Sequence, residues 1–190
     1  MITEPDKFIQ SAEQAGHDAR FLRFARERYS VRDFSDKPVE QYKIDSILTA
    51  AQIAPTAVNY QPQMIYVLKS EEAISKINLL CRCIYGAPLV FLICSDERRT
   101  WKSQTEPGYS AGEMDCSIVC THMMLEAWRQ GLGSVWVRLF DVKEVAEAFD
   151  LPPYIKPICL LPVGYASIDS VPYTRWHDVF RSINEFTEEL

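Results

Sequence analysis

Regular alternation of helix-period and strand-period segments predicts, by pattern alone, an α/β chain, and two further observations limit it to one compact domain. The first is size: 190 residues suffice to bury roughly 70% of the surface that the unfolded chain exposes. The second is composition: 47% hydrophobic and 24% charged residues are ordinary globular usage, with no low-complexity stretch, internal repeat or linker.

Residues 6–27 read as helix, with Phe21, Leu22, Phe24 and Ala25 on one apolar side. Residues 1–25 are taken as an N-terminal helical arm and 26–190 as the domain proper. After Pro38, the residues Ile44, Ile47, Leu48 and Ala51 recur at i, i+3, i+4 and i+7, and Pro55 stops that helix. Met64 to Leu68 reads as a strand, 71–83 as a helix and Leu89 to Cys94 as a buried strand. The longest helix runs from Gly112 to Gln130, carries Met114, Ile118, Val119, Met123, Met124 and Trp128 on several sides, and ends at Gly131. A helix apolar nearly all round is expected to be buried. Ser134 to Val137 is a short strand, Asp141 with Glu144 forms a capping box for a helix reaching Phe149, and Pro157 to Val163 is a second buried strand. A final helix begins near Trp176.

Chemistry first shows in Arg28-Tyr-Ser-Val-Arg-Asp-Phe34. In an extended segment successive side chains face opposite ways, so Arg28, Ser30 and Arg32 share one face while Tyr29, Val31 and Asp33 share the other. Two forked, permanently charged guanidiniums and a hydroxyl make a donor set suited to a phosphomonoester. The competing reading is a solvated basic turn.

Three more segments accompany this one: Ala54-Pro-Thr-Ala-Val-Asn-Tyr-Gln-Pro62, Gly131-Leu-Gly-Ser-Val-Trp136, and Arg175 after Gly164-Tyr-Ala166. In this order and at these separations the set resembles the FMN-dependent nitroreductase family, over residues 26–182. The resemblance implies an α+β fold, a three-layer sandwich with a mixed sheet flanked by helices. It also implies a homodimer with two flavins in its interface and the long helix at its heart. We follow the resemblance over the α/β reading, because periodicity carries neither strand order nor direction.

The resemblance carries site residues with it. Arg28, Tyr29, Ser30 and Arg32 match the cofactor-binding stretch, in which Arg28, Ser30 and Arg32 hold the phosphate and ribityl chain, and Arg175 matches a late basic residue closing over the phosphate. Pro55, Thr56, Ala57 and Asn59 match a segment that reaches the flavin of the partner subunit. Gln61 lies in the same motif, where its amide suits a pyrimidine edge or ribityl hydroxyls; alternatively it belongs to a polar turn between helix and strand. Val137, Arg138 and Leu139 match the segment passing beneath the flavin, where an amide hydrogen meets N5. Arg138 and Gln63 depart from the family pattern. The Arg138 side chain either points to solvent or places positive charge near the flavin.

The implied activity is reduction of a small aromatic or electron-poor acceptor (a nitroaromatic, quinone or enone) by NADH or NADPH, with ping-pong hydride transfer through FMN and no catalytic side chain required. A dehalogenase-like or dehydrogenase relative and a non-enzymatic FMN-binding or sensing protein remain alternatives. His17, His122 and His177 are scattered, in keeping with flavin-borne chemistry, and His122 reads as a core histidine. Trp101 and Tyr109, in the long connection from Ser95 to Ser110, are candidates for stacking on an acceptor, or else part of a solvated loop.

A net charge of −6 argues against nucleic acid or an anionic membrane surface as partner. No apolar run approaches a membrane span and the first residues lack a signal-peptide pattern, so a cytoplasmic address is expected. The six cysteines, at 81, 83, 94, 116, 120 and 159, lack metal-ligand spacing and read as reduced core residues, with no metal expected.

Overall fold

The computed structural model of the protein describes residues 2–190. In chain order its elements are α1 (Glu4–Gln14), α2 (Arg20–Glu27), α3 (Gln41–Ile53), β1 (Gln63–Leu68), α4 (Glu71–Leu80), β2 (Leu89–Asp96), α5 (Gly112–Arg129), β3 (Gly133–Ser134), α6 (Val142–Ala148), β4 (Ile155–Gly164) and α7 (Thr174–His177). Two units result: residues up to Tyr29 with Val171–Leu190, and Ser30–Ser170.

In the larger unit the apolar runs LVFLICSD and IKPICLLPVG form β2 and β4, and every residue of the two except Lys156 is buried. Strands buried on both faces must be covered twice. The sheet order is β1-β2-β4-β3, and every ladder is antiparallel. This makes the unit α+β, as the resemblance implied, and overturns the α/β pattern reading. The parallel component of the sheet is an isolated bridge between Ser30 and Ser134. A bulge between Ile93 and Cys94 shifts the β2–β4 register.

One face of the sheet presents Leu89, Phe91, Ile93, Cys159, Leu161 and Val163 to Ile44, Ile47 and Ala51 of α3 and to Cys116, Val119, Cys120, Met123 and Ala127 of α5. Full burial of each large aliphatic in such a cluster contributes about 1.5 to 3 kcal/mol. The second cover is α4 with α6: α6 meets β4, the two helices meet each other, and their Ile77 and Val145 are wholly buried. Lys76 Nζ donates to the Ala148 carbonyl at 3.1 Å across that pair. On the first cover, Lys43 Nζ donates to Gln130 O at 2.6 Å and to Tyr165 Oη at 2.9 Å, fixing α3 to the end of α5.

Several sequence expectations change. The helix over 6–27 breaks after Gln14 around Gly16, whose φ of 79° suits glycine, and α1 opens on a Thr3–Asp6 capping box. The 71–83 helix ends at Leu80 and continues as a 3-10 turn, Arg82–Ile84. Asp141 caps α6 by accepting from Lys143 N and Glu144 N at 2.8 and 3.0 Å. The final helix is a single turn. Within one chain α5 is buried along Gly112, Asp115, Cys116, Val119, Cys120, Met123 and Ala127 only; Ile118, Met124, Leu125 and Trp128 are half-buried and Met114 is exposed. Gly131, at φ 74°, ends it as expected.

In the terminal unit Arg26 of α2 ties the other segments together. Its Nε donates to Asp6 Oδ1 at 3.0 Å, its NH2 donates to Asp178 Oδ1 at 2.9 Å, and the guanidinium lies 5.3 Å from the Phe180 ring centroid.

Gly133 brings β3 against the 30–34 segment so closely that an added Cβ would lie 2.4 Å from Val31 Cγ2. Gly133→Ala is therefore expected to cost about 1 to 3 kcal/mol in urea denaturation. Combining it with Val31→Ala should cost less than the two single losses summed; simple additivity would show that this contact does not position the segment.

Candidate functional site

The 28–34 stretch continues from α2, with Arg28 as its extended C-cap at φ −64°, ψ 133°. Val31 is fully buried and its N–H donates to Ser134 O at 3.1 Å. This places Ser30 and Arg32 half-buried on the other side of an added edge strand beside β3. Arg32 NH1 donates to the Ser30 carbonyl at 3.2 Å. Arg28 and Tyr29 belong to the terminal unit and Ser30 and Arg32 to the larger one. Arg28 is half-buried, and burial pushes its guanidinium below the ordinary arginine value. Among the described residues its side chain makes no hydrogen bond or ion pair, a costly state for a half-buried cation.

Pro55 to Gln61 form a second constellation at the opposite sheet edge, before β1. Asn59 N donates to Thr56 O at 3.0 Å, Tyr60 N to Ala57 O at 3.1 Å, and Gln61 N to Thr56 Oγ1 at 3.0 Å, closing a tight turn. Gln61 Nε2 donates to Asn59 Oδ1 at 3.2 Å. Three non-glycine residues here, Val58, Asn59 and Gln61, hold positive φ of 45°, 56° and 49°. Such conformations cost of order 1 kcal/mol or more each for ordinary side chains and persist only where the surroundings over-determine them. Pro55 and Asn59 are exposed; Thr56, Ala57 and Gln61 are half-buried.

The two constellations stand far apart on one chain. Ser134, bridged to Ser30, pairs with Val163, which pairs with Leu89; Gln63 pairs with Ser95. Four strand spacings of about 4.8 Å and, at right angles, six residues of about 3.3 Å separate Ser30 from Gln63, a distance of roughly 28 Å.

Val137 is buried and bridges Leu160, while Arg138 and Leu139 are exposed. The Arg138 guanidinium lies 5.1 Å from the Phe140 ring centroid, exposed on the single chain. Cys81 Sγ donates to Leu139 O at 3.4 Å. The 95–110 connection carries structure of its own: Lys102 bridges Ser110, Ala111 N donates to Trp101 O at 2.9 Å, and the Trp101 and Tyr109 rings meet edge-on at 6.3 Å. Arg175, in the terminal unit, is exposed with its guanidinium 5.1 Å from the Trp176 ring centroid. His122 is half-buried, with Nδ1 3.0 Å from the Ile118 carbonyl of its own helix. All cysteines are free and only Cys83 is not fully buried; burial raises the Cys94 thiol to about 12. Among the described residues no helix is long and apolar enough to cross a membrane, and no cluster of His, Cys, Asp and Glu assembles as a metal site.

Asp115 was not anticipated. It sits on the buried stripe of α5, and its Oδ1 accepts the Ala57 N–H at 2.9 Å. The legible signal was a carboxylate four residues before Val119, in phase with the apolar face.

Comparison with known proteins agrees with this architecture. The model of the nitroreductase family matches residues 25–85 and 78–165. A nitroreductase family protein of Clostridium difficile 630 has a solved structure that superposes with a TM-score of 0.79 at 37% identity, over 87% of this chain and 95% of that one. A Methanothermobacter thermautotrophicus protein that carries the names NADH dehydrogenase and NAD(P)H nitroreductase is 29% identical over 151 residues, 76% of each chain. A Bacillus subtilis protein named FMN reductase, NAD(P)H, is 28% identical over 153 residues, 72% of this chain and 61% of that one. The chain belongs to the nitroreductase family, and so to the oxidoreductases.

His177, in α7, lies with Nε2 2.6 Å from Arg26 NH1 and its ring 6.2 Å from that of Tyr29. Burial first, then the Arg26 charge, lowers its pKa from the ordinary 6.5. The folded state thus prefers neutral His177, so its contribution to stability is complete above about pH 6.5 and declines as pH falls below it. Thermal melts between pH 7.5 and 5 should show a drop that His177→Asn flattens; identical pH profiles would contradict this.

Proposed function

We propose that the protein is an FMN-dependent NAD(P)H oxidoreductase acting as a homodimer, in which the β3 edge of one chain and the Pro55–Asn59 turn of the other complete each flavin site. The observation that carries the shared-site part is the separation just described: two constellations roughly 28 Å apart are too distant to hold one small cofactor from a single chain. The half-exposed apolar side of α5, with Met114 at 57% exposure, supports an interface along that helix. The FMN and NAD(P)H part rests on family membership and on relatives named for them.

By its chemistry, two guanidiniums and a hydroxyl, the donor set suits a flavin monophosphate. Arg28 offers a half-buried guanidinium with no ion-pair partner among the described residues, and Ser30 and Arg32 follow at alternate positions of the same stretch in the sequence. Tyr29 lies within it, and Arg175 is assigned to the phosphate by the family resemblance alone. Val137, Arg138 and Leu139 run beside β4; Val137 N–H and C=O are both bonded to Leu160, so the amides of Arg138 and Leu139 are the ones offered to the ring system. Pro55, Thr56, Ala57, Asn59 and Gln61 serve the neighbouring chain's cofactor. When bound, FMN supplies hydride acceptance from NADH or NADPH and delivery to an acceptor in ping-pong order. The chain's own work is to bind, orient and exclude water. The acceptor is a small aromatic or electron-poor molecule, and the Trp101–Tyr109 pair is its candidate stacking surface.

The purified protein should be yellow, release FMN on denaturation, and bleach with NADH or NADPH without air; release of FAD, or no uptake of FMN, would defeat the reading. Arg28→Ala removes a charge-assisted contact of about 1.5 to 3 kcal/mol, so flavin affinity should fall roughly ten- to a hundredfold. Dilution followed by light scattering and flavin fluorescence should release subunits and flavin together. A monomer that retains FMN would overturn the shared site.

A further inference from the structure

The Pro55–Gln61 turn is held in a costly shape, and its own internal hydrogen bonds account for only part of that. Val58, Asn59 and Gln61 all have positive φ without being glycine. Something outside the turn must over-determine it. The side chain that reaches it from the core is Asp115, one turn into α5, whose Oδ1 takes the Ala57 N–H at 2.9 Å. Asp115 is 3% exposed, and its other oxygen, Oδ2, is buried without a partner among the described residues.

A carboxylate in this place is costly as packing. It occupies the apolar stripe that continues as Cys116, Val119, Cys120, Met123 and Ala127, where a small hydrophobic residue would serve the core at no desolvation penalty. Two features lower the cost: the positive end of α5, close to the N-terminus, and the charge-assisted bond to Ala57. The surroundings are also tight. A Cβ on Gly112, one turn before Asp115, would lie 2.4 Å from Ser95 Oγ, so this end of α5 has little freedom to move away from β2.

We propose that Asp115 is a positioning residue for the flavin site: it anchors the strained turn so that Thr56, Ala57 and Asn59 are pre-organised for the cofactor bound by the neighbouring subunit. This rests on the proposed function, since the turn's contact with flavin is part of that reading. Ala57 is fixed through its backbone, while Thr56 Oγ1 and Asn59 Oδ1 accept from Gln61 within the turn, which leaves the Thr56 hydroxyl hydrogen and the Asn59 amide NH2 to meet the ligand.

The test compares Asp115→Ala with Asp115→Asn in the full-length protein, with Met123→Ala as a control for general weakening of α5. The readouts are FMN affinity by fluorescence titration and hydrogen exchange of the Ala57 amide in the flavin-free protein. Asp115→Asn keeps an acceptor for the Ala57 N–H, so it should bind FMN within about threefold of wild type and keep that amide protected. Asp115→Ala should lose protection across the turn and bind FMN about tenfold more weakly. Met123→Ala should lower the melting temperature without either change. If Asp115→Ala binds FMN like wild type, or if Met123→Ala weakens FMN equally, the positioning role is wrong while the functional reading stands. A wild-type protein that takes up no FMN sinks the functional reading, and this inference with it.

Discussion

The double burial of β2 and β4 is the constraint on which the remaining structure depends. Their runs are apolar on both faces, so helices must cover the pair twice, with α3 and α5 on one side and α4 with α6 forming the other cover. With β2 and β4 in the centre, β1 and β3 become the edges. The edges are where backbone groups remain available, and both candidate constellations are found there. The Ser30 segment adds to the β3 edge, and the Pro55–Gln61 turn leads into the β1 edge. In the proposed dimer, opposite sheet edges of the two chains would complete each site.

Close backbone approach at two glycines refines the arrangement. Gly133 admits Val31 against β3, which sets the side on which Ser30 and Arg32 emerge, and Gly112 admits Ser95 against the start of α5. From that start Asp115 reaches the strained turn. Strain and an unsatisfied carboxylate oxygen thus coincide within a few residues, a combination that packing alone does not reward. The positioning role proposed for Asp115 gives a reason for both.

The terminal unit obeys a different logic. Its α1 and α2 are short and expose Phe8, Phe21 and Leu22, so it has little core, and a charged hub at Arg26 links α1, α2 and the C-terminal segment through Asp6, Asp178 and His177. Such a hub depends on the protonation of its histidine, whereas the sheet unit, stabilised by apolar burial, does not.

Much of the larger unit was legible in the amino-acid sequence. The apolar runs of β2 and β4, the period of α3, the stop at Pro55 and the glycine terminator of α5 are local signals, and each describes a local preference that tertiary packing did not override. The alternation of half-buried Ser30 and Arg32 with buried Val31 was equally local. Strand direction was not, since antiparallel order depends on which strands pair. Nor was the break at Gly16, because one glycine in a polar run gives a weak signal against a strong helical one. Asp115 could be placed on the inner face by its spacing, but its bond to Ala57 joins residues far apart in the chain, and only the folded structure brings them together. Local chemistry determined which residues can bind an anion or bend a turn; packing of distant segments decided which of them share an edge.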